Sequence, residues 1–420
     1  MNRRSYALVT GAYWAFTITD GALRMLVLLH FAFLGYSPLT LAVLFLLYEF
    51  FGVLANLYGG WLGARFGLRL TLLAGLALQV IALIGLSFVE RSWLPWVGVA
   101  WVMGAQALSG IAKDLTKMSS KSALKHIVRD ADPSREQAAL FKWVAILTGS
   151  KNALKGIGFF VGGALLATVG FAPALWIMAG ALFIVLCLAL ILITDRMETV
   201  APGGSTVSLR SILSKAPEIN RLSLARFFLF GARDVWFVVG LPLYLYEVLD
   251  WSFEGVGAFM ACWVIGYGVV QSFAPRFAGG ESTRSRSVVE YARLWALVLF
   301  VVSGLIALAV SVGFHPERAI LIGLVVFGVV FALNSSIHSF LVLAYTKQHT
   351  AALDVGFYYS ANAAGRLVGT VLSGLAFLTG GIVACLWVST SLLLVSWLCT
   401  LFLPKMDVHG PGSTQVPSVH

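Results

Sequence analysis

Charge is what this 420-residue chain has least of: Asp, Glu, Lys and Arg together make up only 11% of it. A soluble globular protein carries about a quarter. With 59% hydrophobic residues, the surface cannot be dispersed in water, so a bilayer has to cover most of it. Long polar stretches are scarce too. The loops are too short for a nucleic-acid-binding domain, so the formal charge of +10 is not read as a nucleic-acid signature. The cysteines are Cys187, Cys262, Cys385 and Cys399, each in an apolar run with no CxxC spacing. That excludes a disulfide framework and a thiolate zinc site. There is no HExxH, no GxSxG and no paired Cys/His spacing. An enzyme, a bound metal and a cofactor are therefore not expected.

What the chain does have is long apolar runs. A helix needs about 20 such residues to cross a bilayer, and lipid offers no partner to free backbone groups, so spans are helices or closed barrels. These runs lack the period-two alternation of barrel strands. Twelve spans are expected, at 6–33, 38–62, 70–89, 94–112, 138–168, 171–194, 222–249, 254–278, 291–313, 319–346, 352–379 and 382–403. The first follows Arg3 and Arg4 and runs to Phe33, longer than the roughly 7–15 residues of a cleaved leader, so it is read as a span that stays.

Lys and Arg set the orientation. One set of connections holds Arg65 and Arg69, Lys121, Lys125, Arg129 and Arg135, Arg196, Arg210, Lys215 and Arg221, and Arg276, Arg284, Arg286 and Arg293. The opposite set holds little beyond Arg91 and Arg318. The rich side is cytoplasmic, and both termini are expected there. The stretch 195–221, with Pro202-Gly203-Gly204-Ser205, reads as a cytoplasmic linker between a six-helix bundle at 1–194 and a second at 222–403. The tail 404–420, rich in Gly, Pro, Ser and Val, reads as disordered.

The halves resemble each other. Shifted by 211 positions, Lys155, Gly158, Gly163 and Gly170 fall on Arg366, Gly369, Gly374 and Gly381. Shifted by 215, Tyr36-Ser37 falls on Trp251-Ser252, and Asp20 lands within one position of Asp234. Transporters often carry such repeats, with substrate held near the midplane between them.

Charges at the bilayer centre cost at least about 2.5–3.5 kcal/mol each and usually face a partner or a watery cavity. The deep cations are Arg24, Lys151, Lys155, Arg233 and Arg366, with Arg226 also in span seven; the deep anions are Asp20, Glu49 and Asp234. Even full pairing leaves cations unmatched, and a mobile anion is the natural missing partner. Arginine offers phosphate or carboxylate a planar fork, and lysine a compact charge. The polar residues Asn152, Asn334, Tyr359 and Asn362 complete the expected substrate-binding set. Asp20, Glu49 and Asp234 are the candidates for proton coupling, with uniport left open. His338 reads as a hydrogen-bonded structural residue. Lys113, Lys117, Lys121 and Lys125 recur every fourth residue beyond span four; they read as a cytoplasmic flank, with an anion-attracting vestibule as the alternative.

Gly60-Trp61-Leu62-Gly63-Ala64-Arg65-Phe66-Gly67-Leu68-Arg69 resembles the loop signature G-x-x-x-D-R-x-G-R-R of the major facilitator superfamily. Gly60, Arg65, Gly67 and Arg69 fit it; Ala64 replaces the usual acid, so the role of that Asp does not carry over. Tyr13 to Thr17, Thr19 to Leu26, Tyr48 to Val53, Ala107 to Leu115, Trp143 to Gly156 and Phe230 to Val239 together resemble the ArsJ-type organoarsenical efflux permeases of bacteria.

That resemblance implies an all-α membrane protein of the major facilitator superfamily fold, with twelve helices in two six-helix bundles, in the bacterial inner (plasma) membrane. It implies export of 1-arseno-3-phosphoglycerate, conferring arsenate resistance, with a glyceraldehyde-3-phosphate dehydrogenase as the functional partner that makes the ester. The expected partners are thus a small anionic substrate and the lipid bilayer, and a monomer is expected. The residues alone leave open another organic phosphate or organic anion as cargo. Cys385 and Cys399 are about 21 Å apart along one helix at 1.5 Å per residue, which disfavours thiolate capture of trivalent arsenic.

Overall fold

The structure, a computed structural model, describes residues 3–66, 68–90, 92–128, 133–193, 216–279, 288–346 and 351–404. Every regular element among them is helical. The N-terminal half holds α1 (Arg3–Phe33), α2 (Pro38–Leu44), α3 (Leu46–Phe66), α4 (Leu68–Ser87), α5 (Pro95–Val128), α6 (Pro133–Val169) and α7 (Phe171–Leu192). The second half holds α8 (Pro217–Val248), α9 (Phe253–Gly279), α10 (Val288–Ser311), α11 (Pro316–Tyr345) and α12 (Ala351–Leu401).

These elements make twelve crossings. Among the described residues, 10 stretches are long and apolar enough to span a bilayer, with α2 and the start of α3 forming one of them. The last, Asp354–Leu401, contains two crossings, because helical geometry breaks at Gly380 and Gly381. The remaining one is α5, more polar than the rest because it carries Lys113, Asp114 and Lys117. Helix α8 begins at Pro217, so the end of the stretch read as linker is helical; residues 194–215 and the tail from 405 lie outside the described set.

The halves repeat their local devices. The turn between the fifth and sixth crossings has Gly170 at φ 84 and ψ −177, and that between the last two has Gly381 at φ 61 and ψ −153. This backbone region is open to glycine and essentially closed to other residues. Gly35 at φ 80 and Asp250 at φ 55 make the matching turns after the first and seventh crossings. Next, Ser37 Oγ accepts from Thr40 N at 3.2 Å, and Ser252 Oγ accepts from Gly255 N at 3.2 Å. Both serines satisfy a backbone donor that the start of a helix leaves free.

Within the first half α1 packs on α6, α4 on α5 and α7; within the second α8 packs on α12, and α10 on α11 and α12. The halves meet along α6 with α9 and α3 with α12. Small residues permit this closeness in lipid. A methyl on Gly158 of α6 would meet the carbonyl of Ile18 on α1; one on Gly369 of α12 would meet that of Gly231 on α8. Inside α8, π-helical turns at Trp236–Gly240 and Tyr244–Val248 flank Pro242. Ser373 Oγ accepts from Val239 N at 3.2 Å and Gly240 N at 3.1 Å, holding this irregular stretch against α12.

Candidate functional site

The polar interior gathers between the halves. A cavity of about 70 Å³ is lined by Tyr13, Phe16, Thr17 and Asp20 of α1, Glu49, Gly52 and Asn56 of α3, Lys113, Asp114 and Lys117 of α5, Lys151 and Lys155 of α6, and Ala363 and Arg366 of α12. That is room for a few waters, so this is a closed arrangement that must widen to admit an organic solute.

Two ion pairs repeat between the halves. Lys155 Nζ lies 3.9 Å from Asp20 Oδ2, joining the fifth crossing to the first. Arg366 Nε lies 3.1 Å from Asp234 Oδ2, joining the eleventh to the seventh. These four residues are the charged positions that the sequence repeat aligned. Arg366 also reaches across the halves, with Nη2 at 2.6 Å from Glu49 Oε1. Glu49 is shared, because Arg24 Nη2 lies 2.5 Å from the same oxygen. Asp234 is likewise shared, with Arg233 Nε donating to Oδ1 at 2.6 Å. Asp20 accepts from Tyr48 Oη at 2.5 Å.

A third cluster was read from sequence as a cytoplasmic flank, with an anion-attracting vestibule as the alternative. Helix α5 runs without a break past residue 112, and this carries Lys113 and Lys117 into the cavity wall. Lys117 Nζ donates to Asn56 Oδ1 at 2.9 Å and lies 3.4 Å from Asp114 Oδ1. Lys113 Nζ lies 3.9 Å from Asp114 Oδ2 and 3.9 Å from the centre of the Tyr48 ring. Asp114, 1% exposed, is a fourth deep anion that sequence reasoning missed. So were the lining residues Tyr13, Phe16, Thr17, Gly52 and Asn56. The four-residue lysine spacing was the available signal, and the span boundary drawn at 112 hid it.

Every cation named in these pairs touches a carboxylate, yet the carboxylates are shared. With all groups in their usual ionised forms, the described residues of the lining include five cations and three anions. Adding Arg24, Arg233 and Asp234 behind it widens the positive surplus. Opposite charges held this closely lower the cost of their burial, and among the described residues the cations of this cluster outnumber its anions.

The structure brings Lys151, Lys155, Arg366, Asp20 and Glu49 of the expected site to one cavity. It places the rest elsewhere. Arg24 is buried between Glu49 and the rings of Phe45 and Tyr48. Arg233 packs over Phe230, Phe237 and Phe331 while holding Asp234. Asn152 Nδ2 donates to Gln271 Oε1 at 3.0 Å, a bond between α6 and α9. Tyr359 and Asn362 precede Arg366 on α12 outside the lining, with the Tyr359 ring 5.9 Å from Lys117 Nζ. Asn334 is buried on α11 inside the second bundle. In the loop signature, Arg69 Nη2 donates to Leu190 O at 3.3 Å, tying α4 to the end of α7. Gly67 and the side chain of Arg65 lie outside the described residues, and Gly60 falls in the same stretch of α3.

Two helical bundles about a shared polar cavity are the architecture of a solute transporter. The sequence profile of the Major Facilitator Superfamily matches residues 8–286, and the chain belongs to that family of membrane transporters. No curated protein matches the sequence. Among solved structures, a POT family transporter in complex with 5-aminolevulinic acid superposes with a TM-score of 0.76 at 14% identity, covering 96% of each chain. The nucleoside transporter NupG gives a TM-score of 0.70 at 13% identity, covering 96% of this chain and 100% of the other. A POT family transporter in complex with a thioalcohol-conjugated peptide gives 0.76 at 14% identity, covering 95% and 96%. At these identities the likeness is one of fold.

Proposed function

We propose that this transporter exports a small organic anion by alternating access, with the anion held among Lys113, Lys117, Lys151, Lys155 and Arg366. The observation that carries this reading is the positive surplus of the cavity wall between the halves. A neutral solute would leave that surplus uncompensated; a phosphate-like or carboxylate group would relieve it and take bonds from lysine and arginine together. Lys151 and Lys155 come from one half and Arg366 from the other, so an anion with charge at both ends could engage both.

The motif resemblance singles out 1-arseno-3-phosphoglycerate, whose phosphate and arsenate ester supply two anionic ends. Export of it would confer arsenate resistance in a bacterial inner membrane with both termini cytoplasmic, alongside the dehydrogenase that makes it. Another organic phosphate would use the same cations. Inside-out vesicles separate the two: arsenylated phosphoglycerate, formed in place by the dehydrogenase with arsenate, should accumulate, and plain 3-phosphoglycerate should not. Equal accumulation of both would make the protein a general organic-phosphate carrier. Accumulation of neither, with protein present in the membrane, would overturn the reading.

Asp20 is the carboxylate best placed for proton coupling. Glu49 and Asp234 each face two guanidinium groups; neutralising Glu49 would strand Arg24, neutralising Asp234 would strand Arg233, and either would leave Arg366 with one carboxylate. Asp20 faces one ammonium at 3.9 Å and one phenol.

A further inference from the structure

The second bundle contains a buried cation that the cavity does not use. Arg226 of α8 is 3% exposed. Its Nη1 donates to Ser335 O at 2.9 Å and Ser335 Oγ at 3.1 Å on α11. Its guanidinium lies 4.0 Å from the centre of the Phe230 ring and 5.2 Å from that of Tyr358. Among the described residues no carboxylate pairs with it. Asp234 is eight residues on, about 12 Å along the helix, and is held by Arg233 and Arg366. Helix α11 carries no acid after Glu317, and α9 none after Glu254.

The groups around Arg226 are short of partners. Asn334 and His338 share a face of α11 one turn apart, flanking Ser335, and both are fully buried. Neither end of the Asn334 amide and neither ring nitrogen of His338 has a hydrogen-bond partner, and Arg226 Nε has none either. A neutral imidazole supplies one donor and one acceptor. The cluster therefore presents the Arg226 Nε–H, an amide N–H and an imidazole N–H as unused donors, with the amide oxygen and one imidazole nitrogen as unused acceptors, about the full positive charge of Arg226 in a low-dielectric interior. Leaving such groups without partners is costly.

We propose that Arg226, Asn334 and His338 form a second anion site, occupied by a single monovalent, halide-sized anion such as chloride. Water would satisfy the donors but not the charge; an anion does both. None of these residues lines the central cavity, and their burial leaves no access for an organic solute. The site is structural: it neutralises Arg226 and locks α8 to α11. It stands independently of the cargo proposed above.

The test uses the full chain purified in detergent, with thermal unfolding measured in sodium chloride, sodium bromide and sodium gluconate at constant ionic strength. Chloride and bromide should raise Tm saturably over gluconate. Asn334→Leu and His338→Leu should each weaken the dependence at least several-fold, and Arg226→Met should abolish it. Because Arg226→Met can fail to fold, bromide anomalous scattering from crystals of the unaltered protein gives a second reading, with a peak expected between Arg226 and α11. No halide dependence, or a dependence lost in Lys151→Gln/Lys155→Gln but intact in Asn334→Leu, would overturn the site; the first would assign the orphan groups to water and the second would place the halide in the central cavity.

Discussion

Arg366, on the second half, lies 2.6 Å from Glu49, on the first, and so fastens α12 to α3 across the line where the bundles must part. The same guanidinium holds Asp234 of its own half at 3.1 Å. Any motion that separates the halves on this side has to break the first contact while keeping the second. On the proposed reading, an anion entering beside Arg366 would compete with Glu49 for its fork and so couple substrate arrival to release of this link.

Removal of Glu49 should cost more than removal of Arg366. Glu49 is 1% exposed and neutralises two arginines. Breaking a buried ion pair by deleting one partner costs about 3–5 kcal/mol. Glu49→Gln leaves Arg24 and Arg366 facing each other, whereas Arg366→Gln leaves Glu49 paired with Arg24. Thermal unfolding in detergent should rank unaltered protein above Arg366→Gln and Arg366→Gln above Glu49→Gln. The reverse order would contradict the sharing seen here.

Lys113 and Lys117 should matter to transport as much as the deeper lysines. A hydrogen bond to a charged group contributes about 1.5–3 kcal/mol, so Lys117→Gln should lower uptake by inside-out vesicles about tenfold or more. Replacing Lys121 or Lys125, whose side chains lie outside the described residues, serves as the comparison and should change uptake less. An equal loss at all four positions would favour an anion-attracting vestibule along the whole stripe, and no loss at any of them would return it to the role of a cytoplasmic flank.

Asp20→Asn should uncouple without unfolding. It keeps the shape of the side chain, can still bond Tyr48, and loses only the charge facing Lys155. Downhill efflux should persist while the response to an imposed proton gradient disappears. Asp234→Asn, which strips Arg233 of its partner and leaves Arg366 with Glu49 alone, should instead reduce the amount of folded protein. If both variants keep the same gradient response, Asp20 is not the coupling group.

The glycines of the two matching turns should be irreplaceable to a similar degree. Gly170→Ala and Gly381→Ala each force a side chain into a backbone region that costs about 1–3 kcal/mol. Both should lower Tm, and by similar amounts if the repeat is as regular as φ 84 and φ 61 indicate. Gly85→Ala on α4, where an added methyl meets nothing, should be neutral or slightly stabilising.

Much of this arrangement was legible in the chain because lipid makes hydropathy a strict guide. The break between the runs ending at 379 and starting at 382 is the turn at Gly380 and Gly381. The alignment of Lys155 with Arg366 and of Asp20 with Asp234 marked four equivalent positions, but not their pairing: the i,i+4 spacing of Asp20 and Arg24 suggested a pair along α1, whereas Arg24 meets Glu49 and Asp20 meets Lys155. Hydropathy failed at α5, where Lys113, Asp114 and Lys117 face the cavity rather than lipid. Polar residues facing water inside a bundle read as the end of a span. Partner choice was not legible either, because pairing Glu49 with Arg366 depends on how two distant helices meet. Nor did any local pattern mark the π-helical turns of α8, which Pro242 and the Ser373 hydroxyl together accommodate.

The central claim is that the cavity between the halves takes an anion. Its most direct test is uptake of arsenylated phosphoglycerate by inside-out vesicles holding matched amounts of unaltered protein, Lys151→Gln/Lys155→Gln and Arg366→Gln. Robust uptake by the unaltered protein, lost in both variants, is the predicted result. Uptake that persists undiminished once these cations are neutralised would contradict the account.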